Sequence, residues 1–111
     1  MYKSLKTFSG KSAANTAQSV STELGKKYLV HRVIASYSAA PTQAGVTAAL
    51  DSKLGTDYDA VIYTGSANAR YNFLPLDSKP FLVMEGDVFT VTAPAGGGVI
   101  TSAISIIAEE L

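Results

Sequence analysis

Apolar and polar residues alternate with a period of two through much of this chain, and the pattern is clearest near its end. Residues 88–93 read Val-Phe-Thr-Val-Thr-Ala, and Ile104, Ile106 and Ala108 stand two apart in the last segment. Successive side chains of a strand point to opposite faces, so this period predicts half-buried β-strands. Residues 81–84 and 88–93 are expected to form a hairpin around Glu85, Gly86 and Asp87. A second turn over residues 94–98 contains three consecutive glycines, which permit positive φ, and leads into a strand from residue 99 to about 108.

Upstream, residues 28–38 (YLVHRVIASYS) are apolar or aromatic at nearly every position, the pattern of a strand covered on both faces and central in its sheet. A loop with Pro41 and Gly45 follows, then a short strand over 46–50, a polar bend over 51–57 and a strand over 58–64. Residues 70–76 (RYNFLPL) alternate again, but Pro75 lacks an N–H and denies this strand a central place. Residues 14–24 are ambiguous. Ala17, Val20 and Leu24 stand at helical spacing, whereas Ser19, Ser21 and Glu23 fit the wet face of a strand; Val, Thr and Ser favour the strand. Residues 1–16 are rich in Ser, Lys, Ala and Asn, with Tyr2, Leu5 and Phe8 as anchors, and read as an extended arm or a short edge strand. Eight or nine strands at about ten-residue spacing predict an all-β chain: a single β-sandwich, jelly-roll-like domain over 17–111, with an N-terminal arm or edge strand over 1–16.

Composition narrows the function. The chain has 111 residues, enough for one domain with a real core. Nine basic residues balance nine acidic ones, and 16% charged residues against a usual value of about 25% suits a protein that lives in an assembly. Phosphate binding needs a clustered excess of Lys and Arg, and no basic run exceeds Lys26 and Lys27, so no nucleic-acid partner is expected. No apolar run approaches the roughly 20 residues that span a bilayer, and residues 1–12 lack the apolar core of a signal peptide. A soluble chain without a membrane partner is expected.

The inventory for catalysis is poor, and no catalytic residue, metal or cofactor is expected. Cysteine is absent, and the single histidine, His31, lies in the most apolar strand beside Arg32, with the two expected on opposite faces. A packed or hydrogen-bonded histidine outweighs a catalytic base there, and one histidine without cysteine leaves zinc short of ligands. Gly96, Gly97 and Gly98 lead into Val99 and Ile100 rather than into the Lys-Ser/Thr of a phosphate loop. Asp51, Asp57 and Asp59 lack the spacing of a calcium loop. Contact is the better use of these side chains. Tyr28, Tyr37, Tyr58, Tyr63, Tyr71 and Phe73 suit cores and interfaces alike. Arg70, Tyr71 and Asn72, together with Tyr2, Leu5 and Phe8 of the arm, are the candidate contact surface.

Residues 33–50 (VIASYSAAPTQAGVTAAL) and 73–110 resemble segments of small virion proteins of tailed bacteriophages. The likeness rests on an apolar strand entering Ser-Ala-Ala-Pro-Thr, a Leu-Pro-Leu step leading to a strand and Gly-Asp turn, and a glycine-rich turn before an Ile-rich strand. It covers about half the chain. The resemblance implies a head decoration or cement protein of the virion, made in the host cytoplasm, bound to the major capsid protein on the outside of the capsid and acting as a homo-oligomer, a trimer above other states. The alternative from another class is a tail or fibre domain that holds a host-surface glycan through Arg70, Tyr71 and Asn72.

Overall fold

A computed structural model describes residues 4–42, 45–55, 57, 59–65, 71–75 and 80–111. Nine strands occur among them: β1 (Ser4–Lys11), β2 (Gln18–Ser21), β3 (Tyr28–Tyr37), β4 (Val46–Asp51), β5 (Ala60–Gly65), β6 (Tyr71–Pro75), β7 (Phe81–Val83), β8 (Val88–Ala93) and β9 (Ser102–Glu110). They form two antiparallel sheets. The first has the order β1-β9-β3-β6, with β7 also on β3, and the second has the order β2-β8-β4-β5.

The pairings are nested. β4 pairs β5, β3 pairs β6 and β7, β2 pairs β8, and β1 pairs β9. Rolling this long ribbon on itself adds the pairs β3·β9 and β4·β8 and closes the two sheets over one core. That is the jelly roll expected from the strand spacing.

The core is formed by the inward positions of the alternating strands. Tyr28, Val30 and Val33 of β3, Phe89 and Val91 of β8, and Ile104, Ile106 and Ala108 of β9 are almost wholly buried. Rings bridge the layers and the edge: Phe81 and Phe89 lie 5.8 Å apart across the two sheets, and Phe8 of β1 meets Tyr28 edge-on at 5.3 Å. The two sheets are also tied by polar contacts, because Gln18 of β2 donates to the Ser102 hydroxyl of β9 at 2.8 Å. Gly10 accommodates this approach. A Cβ there would come within about 3.0 Å of Gln18 and 3.1 Å of Val20.

Three local expectations are corrected. Residues 81–84 and 88–93 do not form a hairpin: β7 lies in the first sheet and β8 in the second, and the turn that holds Gly86 is a corner between layers. The last strand begins at Ser102 rather than at residue 99, and the 94–101 connection crosses between sheets, from β8 to β9. A glycine turn with flanking strands has the same local chemistry whether the strands pair or diverge, so only the long-range pairing distinguishes the two cases. The third correction concerns β3. Its register on β9 jumps between Val30↔Ala108 and Arg32↔Ile107, making His31 the extra residue of a bulge. His31 and Arg32 are both half-exposed, rather than one in and one out.

The central place of residues 28–38 is observed, since β3 pairs on both of its edges. β6, which ends at Pro75, pairs only β3 and lies at the border of its sheet among the described residues.

Ile104 is 1% exposed between the two layers. Ile104→Asp places a carboxylate in apolar surroundings and is expected to cost several kcal/mol, a large share of the about 5–15 kcal/mol that holds a domain folded. A urea titration checks this; a variant unfolding cooperatively at the wild-type midpoint would refute the core assignment.

Candidate functional site

The sequence-selected contact residues fall on two borders of one sheet. Leu5 lies on the outward side of β1 and is 67% exposed, while Phe8 is turned inward onto Tyr28. Tyr71 and Asn72 lie on β6, their backbones opposite Ser36 and Ala35. β9 and β3 therefore stand between the β1 group and the β6 group. Tyr2 and Arg70 lie outside the described residues.

The face between them carries a histidine–glutamate pair. The bulge presents His31 beside β9, where its Nε2 lies 3.1 Å from Glu109 Oε1. Leu5, His31, Arg32 and Ile107 line a shallow depression of about 360 Å³. A histidine hydrogen-bonded to a carboxylate in an open depression has the features of a surface residue. Among the described residues no group of three or more His, Cys, Asp and Glu is placed to hold a metal.

A different set of residues is brought together at one end of the sandwich. β2 ends opposite the start of β8, and β4 ends beside Val88 of the same strand, so the loops after β2, after β4 and before β8 are neighbours. Hydrogen bonds fix them to one another. Thr22 exchanges bonds with Phe89, its N–H donating to the carbonyl and its hydroxyl accepting from the N–H, each at 3.0 Å. The N–H of Lys53 donates to buried Asp87 Oδ1 at 3.0 Å.

Each of these loops carries an apolar side chain at its tip: Leu24 is 66% exposed, Leu54 65% and Met84 45%. Leu111 reaches the same end, where its N–H donates to the Lys27 carbonyl. The local cause is shared. Leu24 precedes Gly25, Leu54 precedes Gly55, and Met84 stands two before Gly86, and all three glycines have positive φ, from 89° to 109°. The glycine allows the chain to reverse sharply, and the apolar residue is carried on the bend, away from the core.

Sequence reasoning passed over this trio because Leu24 and Met84 stand at the ends of expected strands and Leu54 lies in a polar bend. The available signal was composition against context. Turn tips favour Gly, Pro, Asn, Asp and Ser, yet Leu-Gly occurs twice and Met-Glu-Gly once.

Mixed charges border this end. Glu110 binds Lys6 at 2.9 Å and lies 3.7 Å from Lys26, which is 3.8 Å from Glu23. The hydrogen bond from Lys6, helped by the charge of Lys26, holds the Glu110 carboxyl below the usual carboxylate range, and the bond to Glu110 raises the Lys6 ammonium above its ordinary value. Tyr28, whose hydroxyl donates to Glu23 at 3.4 Å, is pushed up by burial and by the Glu23 charge.

The fold has relatives among solved structures. A chain of the acid-stable capsid structure of Helicobacter pylori bacteriophage KHP30 aligns over 97% of this chain and 90% of its own length, with a TM-score of 0.56 and 10% identity. The family 32 carbohydrate-binding module of C. perfringens NanJ, solved in complex with galactose, aligns over 91% of this chain and 93% of its own, with a TM-score of 0.46 and 14% identity. No protein family matches the chain, and no curated protein does. At 10% identity the capsid likeness is one of fold.

A depressed carboxylate pKa adds stability that is complete above the unfolded value and is lost as pH falls through the folded one. Glu110→Gln is therefore expected to melt below the wild type near neutral pH, with the gap closing on acidification and narrowing in salt, since both partners are partly exposed to solvent. Melting curves across pH check this; a gap that stays constant with pH would mean the carboxylate charge contributes nothing.

Proposed function

We propose that this chain is a non-enzymatic structural protein of a bacteriophage virion that decorates the capsid, holding the major capsid protein through the loop end that bears Leu24, Leu54 and Met84. The carrying observation is that trio. Three adjacent loops, locked to one another by Thr22–Phe89 and Lys53–Asp87 bonds, each expose a large apolar side chain. Burying such groups against a partner removes apolar area from water, whereas exposing them contributes nothing to the fold.

The surroundings suit a protein partner better than a reaction. Charges there are mixed in sign, giving no field for a polyanion. The sole histidine is tied to Glu109 at 3.1 Å on the outside of the other layer. The virion setting draws on the phage-capsid chain, which shares the fold over nearly the whole length of both proteins. A lattice presents the same site many times, so an oligomeric decoration protein gains firm attachment from modest single contacts.

The test is co-sedimentation with capsids that lack the protein. Wild type is expected to pellet in fixed stoichiometry. The triple variant Leu24→Asp, Leu54→Asp, Met84→Asp is expected to stay in the supernatant with its melting temperature within a few degrees of wild type, because these side chains are already in water. A triple variant that still pellets at the wild-type ratio would dismiss the loop end as the contact. A wild-type protein that ignores capsids would dismiss decoration and favour glycan binding through Arg70, Tyr71 and Asn72.

A further inference from the structure

The borders of the two sheets are guarded unequally. An unpaired strand edge is a template for another strand, and proteins blunt such edges by shortness, proline, bulges or charge. β2 has four residues, β7 has three, β6 ends in Pro75, and β5 carries a register shift against β4. β1 has charge, in Lys6 and Lys11, but neither the shortness, the proline nor the irregular register. It runs for eight residues without proline, in unbroken register from Ser4↔Glu110 to Lys11↔Ala103, with β9 as its sole strand partner among the described residues. Its inward-facing charge, Lys6, is held by Glu110 of β9.

The phase of the free edge follows from the hydrogen bonds. The N–H of Ser12 donates to the carbonyl of Ser102 at 2.9 Å, and Ser12 continues the register that sets Lys11 opposite Ala103. In an antiparallel pair, bonded and non-bonded positions alternate. Lys6, Phe8 and Gly10 thus bond to β9, and Leu5, Thr7, Ser9 and Lys11 aim their N–H and C=O groups away from the sheet. The other edge of β9 agrees, since the N–H of Ser38 donates to Thr101, an odd-numbered position, at 2.9 Å.

From this we infer that β1 pairs antiparallel with β1 of a second copy of this chain, about a two-fold axis at Phe8, so that the β6-β3-β9-β1 sheet continues into its symmetry mate. Facing residues must lie on the same side of the joined sheet, which restricts the register to outward residues opposite outward ones. A dyad at Phe8 sets Leu5 opposite Lys11 and Thr7 opposite Ser9, and every outward-aimed backbone group of these four residues gains a partner. It also sets Lys6 opposite Gly10 and brings together two Phe8 rings that are only partly buried in one copy. A dyad at Thr7 would leave Lys11 beyond Ser4 of the mate and bring the two Lys6 side chains into diagonal contact. Cross-strand aromatic and hydroxyl pairs add to the backbone ladder. The contact is isologous and closes at two copies, in contrast to the trimer that the sequence resemblance implies. It uses the β1 edge and holds whether or not the loop end binds a capsid.

Light scattering from low micromolar to near-millimolar protein is expected to show the mass doubling. The absence of cysteine from the chain makes register measurable. Opposed bonded residues lie about 5.5 Å apart at Cα, within disulfide reach, so a mixture of Thr7→Cys and Ser9→Cys proteins is expected to form the mixed disulfide faster than either forms its own. Ser9→Pro removes an outward-aimed N–H and no bond to β9, and is expected to give a monomer with unchanged melting. A wild type with the mass of one copy at every concentration would overturn the inference. So would a dimer in which the mixed disulfide has no advantage.

Discussion

β9 holds the two halves of this molecule in register. It is the strand with partners along its whole length on both edges, β1 on one side and β3 on the other, and alternate residues serve each. Its inward positions, Ser102, Ile104, Ile106 and Ala108, are all buried. The ladder and the packing are therefore set by the same strand. A slip of one residue would expel Ile104 and Ile106 from the core and misalign β1 and β3 together. The bulge at His31 is the adjustment that lets β3, which also pairs β6 and β7, remain on β9 along its length.

How much of this was legible in the sequence depends on the range of the interaction. Period-two alternation revealed β8 and β9, and continuous apolarity identified β3 as central, because each reports the local environment of a strand's own faces. Pro75 placed β6 at a border through the missing N–H. Partner choice left no such trace. The turn at Gly86 reads as a hairpin, yet β7 and β8 part into different sheets, since nested pairing from β4·β5 outward to β1·β9 assigns β8 to β2 and β4 instead. The bulge was equally silent, because an extra residue in a strand shows only against its partner.

The contact residues show the same division. Leu5 was found by being apolar in a polar segment, and it is exposed. Leu24, Leu54 and Met84 are also exposed but gather only when β2, β8 and β4 lie side by side, so a linear reading sees two strand ends and an unrelated bend. Gly25, Gly55 and Gly86 carried half of the signal: a positive-φ glycine explains the reversal and leaves the neighbouring Leu or Met unexplained.

That unexplained half separates stability from contact in this fold. Tyr37 illustrates a residue used by the fold alone: it is 4% exposed, and its hydroxyl donates to the Pro94 carbonyl at 2.7 Å, closing the 94–101 connection over the core. Leu24 and Leu54, at 66% and 65% exposed, make no comparable contribution, and an exposed leucine on a rigid bend favours association with whatever covers it. The loops that carry them are tied down through Asp87 and Thr22, which reduces the conformational entropy lost when a partner docks. The β1 edge differs in kind. There the unsatisfied groups are backbone amides and carbonyls, which any extended strand can meet, so selectivity has to come from register: the outward residues need outward partners. An apolar end and a polar edge at separate places let one small jelly roll make two unlike contacts without either disturbing the core between them.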